Sequence, residues 1–257
     1  MGQLDQRVAL VTGAARGLGA GIAEAFARNG ATVVCADVGD TSATVGSLAG
    51  ENHKAMQLDV TSSSQVDAAI AAIVSEYGSL DILANNAGVS QPIATFVDTT
   101  DETIDRVLAV NVKGPIYCAR AAGKVMMKQG RGRIINTASQ AGKSAWPDWG
   151  IYSASKAAVI AVTQAMALEL APYGVTVNCV CPGTMMTDMT RAGFGEAAAA
   201  AGADVEELLK DKAASIPLGR LGTAADMGTM FAWIASDDSK FTTGAAFNLT
   251  GGESVFF

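Results

Sequence analysis

Short apolar runs alternate along the chain with longer segments in which apolar residues recur at helical spacing. The runs are apolar throughout, which is typical of strands buried on both faces of a parallel sheet. They lie at residues 7–12, 31–37, 55–58, 81–84, 133–138, 175–180 and 245–249. Helical spacing marks residues 41–49, 62–77, 100–129 and 149–171 between them, after an earlier helix that ends at Asn29 and Gly30. The alternation predicts an α/β fold, a doubly wound parallel sheet with helices on both faces.

No linker or repeat divides the chain, so we expect a single domain over residues 1–257. One segment departs from the alternation, because residues 184–215 are rich in Ala and Gly and suggest short mobile helices. Binding sites in open parallel sheets lie at the carboxyl ends of the strands, and this segment follows such an end. We expect it to act as a lid over the site, and the alternative is a loose surface loop.

Hydrophobic residues make up 49% of the chain and charged residues 17%, a balance that indicates a compact globular enzyme rather than a disordered chain. The net charge of −7 offers no basic surface to phosphate backbones, so we expect no nucleic acid partner. No apolar run reaches the ~18 to 20 residues that cross a bilayer, and the N-terminus lacks the order of a signal peptide. We therefore expect a soluble, cytoplasmic protein with no membrane partner.

The cysteines and the single histidine do not form a pattern typical of metal binding. Cys35 and Cys118 are isolated in apolar surroundings, and Cys179 and Cys181 share one face of a strand without a nearby histidine. We interpret all four as buried free thiols and expect no metal. His53 precedes a strand and is interpreted as an ordinary surface residue, which makes a histidine-based catalytic triad improbable.

A glycine-rich turn joins the first apolar run to the first helix. Gly13, Gly17 and Gly19 stand in the spacing G-x-x-x-G-x-G, with Arg16 and Leu18 between them. Glycines let the backbone approach a pyrophosphate, and a helix N-terminus supplies unpaired N–H groups and positive potential. Because a strand precedes the turn and a helix follows it, we expect it to bind a dinucleotide.

Asp37 ends the second apolar run and favours NAD as that dinucleotide. A carboxylate at this place accepts hydrogen bonds from both ribose hydroxyls and repels a 2′-phosphate. Arg16 argues the other way, since a guanidinium could neutralise such a phosphate, but Asp37 stands where the ribose should lie. Asp59 and Val60, after the third run, would lie near the adenine amino group. The alternative for Asp59 is a cap on the helix that starts near Ser62.

Ser139, Tyr152 and Lys156 bring a hydroxyl, a phenol and an ammonium group into one short stretch. Tyr152 and Lys156 are four residues apart, so they share one face of a helix, and Ser139 follows the apolar run at 133–138. A free phenol loses its proton near pH ~10, and an adjacent Lys⁺ should lower that pKa. We therefore expect Tyr152 to act as a base near neutral pH.

In their order and spacing these residues resemble the classical short-chain dehydrogenase/reductase family, over about residues 4–252. The resemblance rests on Thr12, Gly13, Gly17, Gly19, Asp59, Asn85, Asn86, Ala87, Gly88, Asn111, Ser139, Tyr152, Lys156, Pro182, Gly183 and Thr187. It implies a single Rossmann-like domain with a seven-stranded parallel sheet, usually a homotetramer.

The resemblance also implies roles. Tyr152 would take the hydroxyl proton of an alcohol as a hydride leaves carbon for the nicotinamide C4 of NAD⁺, and Ser139 would hydrogen-bond the substrate oxygen. Lys156 would lower the pKa of Tyr152 and bind the nicotinamide ribose, while Asn111 would hold a water that relays the proton. Further dinucleotide contacts would come from Asn86, Ala87, Gly88, Pro182, Gly183, Thr184 and Thr187.

The substrate pocket is expected around Gln140, Trp146 and Trp149, beside Ser139 and Tyr152. Gln91 and the methionines of the lid, Met185, Met186 and Met189, are further candidates. Polar groups among aromatic rings suit a substrate with several hydroxyls. A compound without those hydroxyls would leave the buried polar groups of the pocket without hydrogen bonds and would bind poorly. The run that begins at Ser139 also resembles polyol dehydrogenases of this family. We expect a polyol or vicinal diol; the two tryptophans could instead pack at an interface.

Other functions stay open at this point. A ketoacyl-thioester reductase uses the same scaffold, but it would usually prefer NADPH and present a basic surface, which neither Asp37 nor the net charge fits. A steroid or aromatic secondary alcohol is another possible substrate. A non-catalytic dinucleotide sensor would not need Ser139, Tyr152 and Lys156. The last five residues, Glu253 to Phe257, are expected to pack against a neighbouring subunit, because two terminal aromatic residues are poorly suited to water.

Overall fold

Seven strands form one parallel sheet in the computed structural model, which describes residues 2–255. They are β1 (Val8–Thr12), β2 (Thr32–Asp37), β3 (Lys54–Gln57), β4 (Ile82–Asn85), β5 (Gly132–Thr137), β6 (Val175–Pro182) and β7 (Ala246–Leu249). Their order across the sheet is β3-β2-β1-β4-β5-β6-β7, and every neighbouring pair is parallel. The prediction of a doubly wound, Rossmann-like parallel sheet is confirmed.

Helices cover both faces of the sheet. They are α1 (Gly17–Arg28), α2 (Ser42–Ser47), α3 (Ser63–Tyr77), α4 (Asp101–Leu108), α5 (Gly114–Gln129), α6 (Gly150–Leu170), α7 (Asp188–Ala201), α8 (Val205–Ser215) and α9 (Ala224–Ala235). One apolar cluster joins α1 and α9 to one face of the strands, and a second joins α3 and α5 to the other. Within β1, Ala9 and Val11 belong to the first cluster and Val8 and Leu10 to the second. The strands are therefore apolar at every position because both of their faces are buried.

The helix expected over residues 100–129 is interrupted. A π-helical turn, Ala109–Lys113, separates α4 from α5. The side chain of Asn111 in this turn is fully buried and bonds to the backbone of Val89, so the turn directs it toward the end of β4. A π turn changes the helical register by one residue within an otherwise continuous pattern, which explains why the sequence suggested one long helix.

The 184–215 segment forms two capped helices. The side chain of Thr187 accepts a hydrogen bond from Thr190 N at the start of α7, and Asp204 accepts from Glu206 N and Glu207 N at the start of α8. Each cap satisfies N–H groups that the first turn of a helix leaves unpaired. The alternative of a loose surface loop is therefore wrong for this segment.

The chain reverses its direction across the sheet between β1 and β4. From β1 it winds outward through β2 to β3, and from β4 it winds the other way to β7. Loops that leave β1 and β4 therefore diverge at their carboxyl ends and open a crevice, which is where ligands bind in sheets of this type.

Asp81 connects β1, β4 and β5 at the amino ends of these strands, opposite the crevice. Its Oδ2 accepts hydrogen bonds from Val8 N at 3.0 Å and Ser79 Oγ at 2.8 Å, and its Oδ1 accepts one from Arg131 Nε at 2.9 Å. Its backbone carbonyl accepts from Arg133 N. The carboxylate is fully buried, so its loss would leave Val8 N without this partner.

We expect Asp81→Ala to lower the free energy of unfolding by about 3 kcal/mol, because hydrogen bonds to a charged group contribute about 1.5–3 kcal/mol each and are not additive. Urea denaturation measures the change. Ser79→Ala, which removes one of these bonds, should cost about 1 kcal/mol. Equal losses in the two variants would contradict the role given to the carboxylate.

Candidate active site

The glycine turn after β1 is tightly packed. Gly13 and Gly17 have φ angles of +67° and +59°, a region that side chains disfavour. A Cβ on Gly19 would lie 2.0 Å from the carbonyl oxygen of Gly13, and one on Gly13 would lie 2.8 Å from Ala87 Cα. Glycine at these two positions lets the turn pack closely on itself and on Ala87, whereas a Cβ on Gly17 would meet nothing nearer than Thr187 at 4.0 Å. Leu18 packs against the first apolar cluster.

The start of α1 has N–H groups free of side-chain caps. Its N-cap residue, Arg16, makes no capping hydrogen bond, and no acidic residue lies in the first turn. The guanidinium of Arg16 is exposed and lies 3.9 Å from Asp188, a contact of little energy between solvated groups. An uncapped helix start beside glycines is a ready site for a phosphate.

Asp37 lies next to this turn. Its Oδ2 accepts a hydrogen bond from Ala15 N at 3.1 Å, and its Oδ1 accepts one from Gly39 N at 3.0 Å. Both bonds hold the carboxylate at the carboxyl end of β2, between the glycine turn and the following loop. Both donors are backbone N–H groups, so the residue types at positions 15 and 39 do not reveal these bonds.

Asp59 and Val60 follow β3 before α3. Asp59 Oδ1 accepts hydrogen bonds from the backbone and the hydroxyl of Thr61, at 2.9 and 2.7 Å. Ser62 caps α3, so the alternative that Asp59 is the cap is wrong. Val60 is buried beneath Gly114, where a Cβ would lie 2.8 Å from the valine side chain.

Hydrogen bonds from Asn86 and Ala87 join the ends of β1 and β4. Thr12 Oγ1 accepts from Asn86 N and Ala87 N at 3.0 and 3.1 Å, and Asn86 Nδ2 donates to the carbonyls of Thr12 and Gly13, both at 3.2 Å. Asn86 therefore holds the glycine turn in place from the neighbouring strand.

Gly88 lies between the glycine turn and the candidate catalytic groups. A Cβ on this glycine would lie 3.4 Å from Asn111 Oδ1 and 3.5 Å from Lys156 Nζ. Asn111 accepts from Val89 N at 2.8 Å and donates to Val89 O and to Ser155 Oγ. Both hydrogens of the Asn111 amide are thus donated to protein atoms. The side-chain oxygen, which accepts from Val89 N, lies toward Gly88.

Ser139, Tyr152 and Lys156 meet at the carboxyl end of β5. Ser139 follows that strand, and its Oγ accepts a hydrogen bond from Ala141 N at 3.1 Å. Tyr152 and Lys156 lie in the first two turns of α6, with Lys156 Nζ 5.7 Å from the centre of the Tyr152 ring. Lys156 is 4% exposed, and its Nζ donates to Thr137 O at 2.8 Å.

The pKa of Tyr152 is shifted in the opposite direction to that expected from the sequence. Burial raises the pKa of this phenol, and the neighbouring hydroxyl of Ser139 only partly opposes the shift. Burial also lowers the pKa of Lys156 to about 8, so its positive charge is weakly held. The ammonium group bonds to Thr137 O rather than to the phenol, which explains why it does not dominate the pKa of Tyr152.

Gln91 holds the first turn of α6, the helix that carries Tyr152 and Lys156. Its Oε1 accepts a hydrogen bond from Tyr152 N at 2.7 Å, and its Nε2 donates to Asp148 O at 3.0 Å. The ring of Trp149 packs edge-on against Tyr152 at 5.5 Å, and Trp146 packs against Trp149 at 6.3 Å. The two tryptophans thus extend from the phenol toward solvent.

Two of the expected pocket residues, Met185 and Gln140, are buried and contact other parts of the protein. Met185 is buried in the first apolar cluster, whereas Met186 and Met189 remain exposed. Gln140 is buried, and its Oε1 accepts a hydrogen bond from Ser254 Oγ at 2.7 Å, so its oxygen faces the C-terminal segment.

The loop after β6 is held by Glu253, a residue that the sequence did not assign to the site. Thr184 N and Thr184 Oγ1 donate to the two carboxylate oxygens at 2.7 and 2.8 Å. A Cβ on Gly183 would lie 2.6 Å from Glu253 Oε2. Glu253 and Ser254 thus bond within their own chain, and the expectation that the terminal segment packs against a neighbouring subunit stays a prediction. Phe256 and Phe257, on which that expectation rests, lie outside the described residues.

The cysteines are free and buried, as expected. Burial raises the pKa of Cys35 and of Cys118 to about 12, so these thiols stay protonated. His53 is more than a surface residue, because its Nδ1 accepts from Val33 N at 3.1 Å. Within residues 2–255, no group of three or more His, Cys, Asp or Glu side chains is placed to hold a metal ion.

Sequence and fold comparisons place the chain among oxidoreductases. Residues 13–254 match the family model described as enoyl-(acyl carrier protein) reductase. The chain is 39% identical to galactitol 2-dehydrogenase of Agrobacterium fabrum, across 97% of this chain and 98% of that protein. It is 36% identical to sorbitol dehydrogenase of Cereibacter sphaeroides and to a 3-oxoacyl-[acyl-carrier-protein] reductase of Vibrio cholerae, each across 97% of this chain and 98% of the relative.

The same fold occurs in a solved structure, that of NAD⁺-bound xylitol dehydrogenase. The two chains share 32% sequence identity and a TM-score of 0.89, and the match covers 97% of this chain and 99% of the other. Near full-length similarity in sequence and in fold agrees with the residues gathered at the crevice. The chain belongs to the short-chain dehydrogenase/reductase family.

Proposed function

We propose that this protein is an NAD-dependent dehydrogenase that oxidises a secondary alcohol of a polyol or vicinal diol to the ketone. The observation that carries the proposal is the meeting of Ser139, Tyr152 and Lys156 beside the glycine turn at one crevice. A proton acceptor, a donor for the substrate oxygen and a dinucleotide site are thereby placed together.

The residues around the glycine turn fit a dinucleotide. The glycine turn, which has left-handed backbone at Gly13 and Gly17, and the uncapped start of α1 suit a pyrophosphate. Asp37 would accept from the ribose hydroxyls, which favours NAD over NADP. Gly88 and the loop at 182–187 would border the nicotinamide end, while Arg16 is exposed and positioned near Asp188.

Bound NAD⁺ supplies a hydride acceptor and a positive charge. Ser139 Oγ would donate to the substrate oxygen and stabilise the charge that develops there. Tyr152 would take the hydroxyl proton, and Lys156, whose pKa of about 8 leaves it mostly charged at neutral pH, would favour the phenolate. Lys156 and Asn111 both border Gly88, so they would begin the path by which the proton returns to solvent.

The polyol class comes from the relatives and from the chemistry near Tyr152. The proteins compared above include dehydrogenases named for galactitol, sorbitol and xylitol. Trp149 packs against the ring of Tyr152 and Trp146 packs against Trp149, and the exposed Asp148 stands between them in the chain. The carboxylate would pair substrate hydroxyls, and the two rings would cover the carbon chain.

A ketoacyl-thioester reductase is the second candidate, because one relative carries the name of that activity and the matched family model is named for a different reductase of acyl carrier protein substrates. Asp37 disfavours NADPH, and the net charge of −7 disfavours an acidic carrier protein. These two features rank it below the polyol reaction.

The apolar face of α6 supports a homo-oligomer. This helix is long and apolar enough to cross a membrane by length and composition alone, with a mean hydropathy of 1.3, and only a third of it is buried. Its N-terminal turns carry Tyr152 and Lys156, which need an aqueous crevice, and Leu168 is exposed farther along. A second copy of the chain is the occupant that fits both facts. Because members of this family usually form homotetramers, we infer a homotetramer, and we place it in the cytoplasm as the sequence predicts.

The proposed function is tested by initial rates on a panel of polyols, vicinal diols, hydrophobic secondary alcohols and a hydroxyacyl thioester, each with NAD⁺ and NADP⁺. We expect NAD⁺-dependent oxidation of polyols or diols. Tyr152→Phe should reduce turnover by about 10²- to 10⁴-fold, the usual contribution of a positioned acid or base, with NADH binding unchanged. Activity confined to the thioester, or to NADP⁺, would contradict the proposal.

The alcohol oxidation should become faster with rising pH. The phenolate is the base, so below the raised pKa of Tyr152 the rate gains about tenfold per pH unit. Above about pH 8 Lys156 loses its charge and the gain should diminish. In Lys156→Met the rise should move to higher pH. The profile of kcat/KM with saturating NAD⁺ measures both effects, and superimposable profiles would contradict the role of Lys156.

A further inference from the structure

The turn after β7 packs directly on the end of α8. Gly251 and Gly252 have φ angles of +62° and +89°. A Cβ on either would lie 2.9 Å from a side-chain carbon, of Ile216 or Pro217 respectively, and Leu218 N donates to Gly251 O at 3.1 Å. Only glycine allows this close approach, and it brings the next residue, Glu253, over the loop that follows β6.

Both carboxylate oxygens of Glu253 are occupied. Oε2 accepts from Thr184 N at 2.7 Å, and Oε1 accepts from Thr184 Oγ1 at 2.8 Å and from Lys212 Nζ at 2.7 Å. The side chain is 9% exposed, against 31% for that of Lys212. Burial acts to raise the pKa of Glu253, but the bonds from Lys212 and Thr184 hold it below its ordinary value, so the group is ionised at neutral pH.

Glu253 thus connects two separate parts of the site. Thr184 belongs to the loop proposed to border the nicotinamide, and Lys212 belongs to α8. Within the described part of the chain, the pair of Lys212 with Glu253 is the ion pair that joins α8 to the body of the fold; the other ion pair of α8, Arg191 with Glu206, joins it to α7. The loop itself is bound from its other side, because Thr184 O accepts from Gly222 N at 3.0 Å.

The same segment reaches the residue after Ser139. Ser254 Oγ donates to Gln140 Oε1 at 2.7 Å. The side chain of Gln140 also faces Glu253, whose pKa it helps to lower, so Gln140 contacts two residues of the terminal turn. Movement of the terminal turn would therefore disturb the loop at Thr184, α8 and Gln140 together.

We propose that Glu253 is a positioning residue that holds α8 against the loop at Thr184 and so couples closure of the 184–215 segment to binding of the nicotinamide end. This inference rests on the proposed dinucleotide site but not on the class of alcohol. It gives the C-terminal turn a role within its own chain.

The test compares Glu253→Gln, Lys212→Met and the double variant with the unaltered protein. Lys212→Arg keeps the ion pair, and Glu196→Gln makes the same chemical change on an exposed carboxylate of α7. Two properties are measured: the rate of tryptic cleavage after Arg191, with and without NADH, and the dissociation constant of NADH. Melting curves establish that each variant is folded.

We expect Glu253→Gln to raise the NADH dissociation constant by about tenfold, the equivalent of one lost hydrogen bond to a charged group. Cleavage after Arg191 should accelerate, and NADH should no longer protect that bond. Lys212→Met should act in the same direction and the double variant no more than the stronger single one, because the two groups form one unit. Lys212→Arg and Glu196→Gln should match the unaltered protein.

Unchanged cleavage and affinity in Glu253→Gln, or additive effects of the two single changes, would overturn the proposal. If Glu253→Gln does not fold, the contrast between Lys212→Met and Lys212→Arg decides, because Lys212 is the more exposed partner. Failure of the unaltered protein to bind NADH would overturn the proposed function instead. In that case the cleavage rates without NADH still decide whether Glu253 holds α8.

Discussion

The hydrogen bonds between Thr12 and the backbone of Asn86 and Ala87 fix the place where β1 and β4 separate. At this point the chain reverses direction across the sheet, and the crevice exists because the two loops leave in opposite senses. Asn86 holds the glycine turn, and Gly88, two residues later, lies beside Asn111 and Lys156. A shift of β1 relative to β4 would therefore displace both halves of the site at once.

Burial governs the chemistry of that site. Lys156, Asn111 and Ser139 are all buried at the carboxyl ends of the strands, and each has a hydrogen bond to protein that compensates part of its desolvation. The same burial weakens the charge of Lys156 and keeps the phenol of Tyr152 protonated. Under the proposed function, the positive charge of bound NAD⁺ would favour the phenolate form of Tyr152 over the protonated phenol.

Much of the fold and of the site could be predicted from the sequence, for a physical reason. Strands buried on both faces are apolar throughout, and the residues at their carboxyl ends, Asp37 and Ser139, necessarily share one edge of a parallel sheet. Tyr152 and Lys156 are neighbours on one helix. The start of α9 also has a local pattern that predicts a helix, the capping box of Thr223 and Asp226.

Other features depend on long-range packing that no local pattern carries. Glu253 and Thr184 are 69 residues apart and meet only because a two-glycine turn lies against α8. The π turn at Asn111 alters the helical register without altering the residue pattern. The direction of the pKa shift of Tyr152 depends on how deeply α6 is buried rather than on the spacing of Tyr152 and Lys156.

Direct transfer of hydrogen from the alcohol carbon is the central claim, and isotope transfer tests it. A polyol with deuterium at its secondary carbinol carbons is incubated with the protein and NAD⁺, and the reduced nucleotide is analysed by mass spectrometry and NMR. The account predicts one deuterium at the nicotinamide C4 for each ketone formed. Reduced nucleotide without deuterium, or a ketone formed without reduction of NAD⁺, would contradict it.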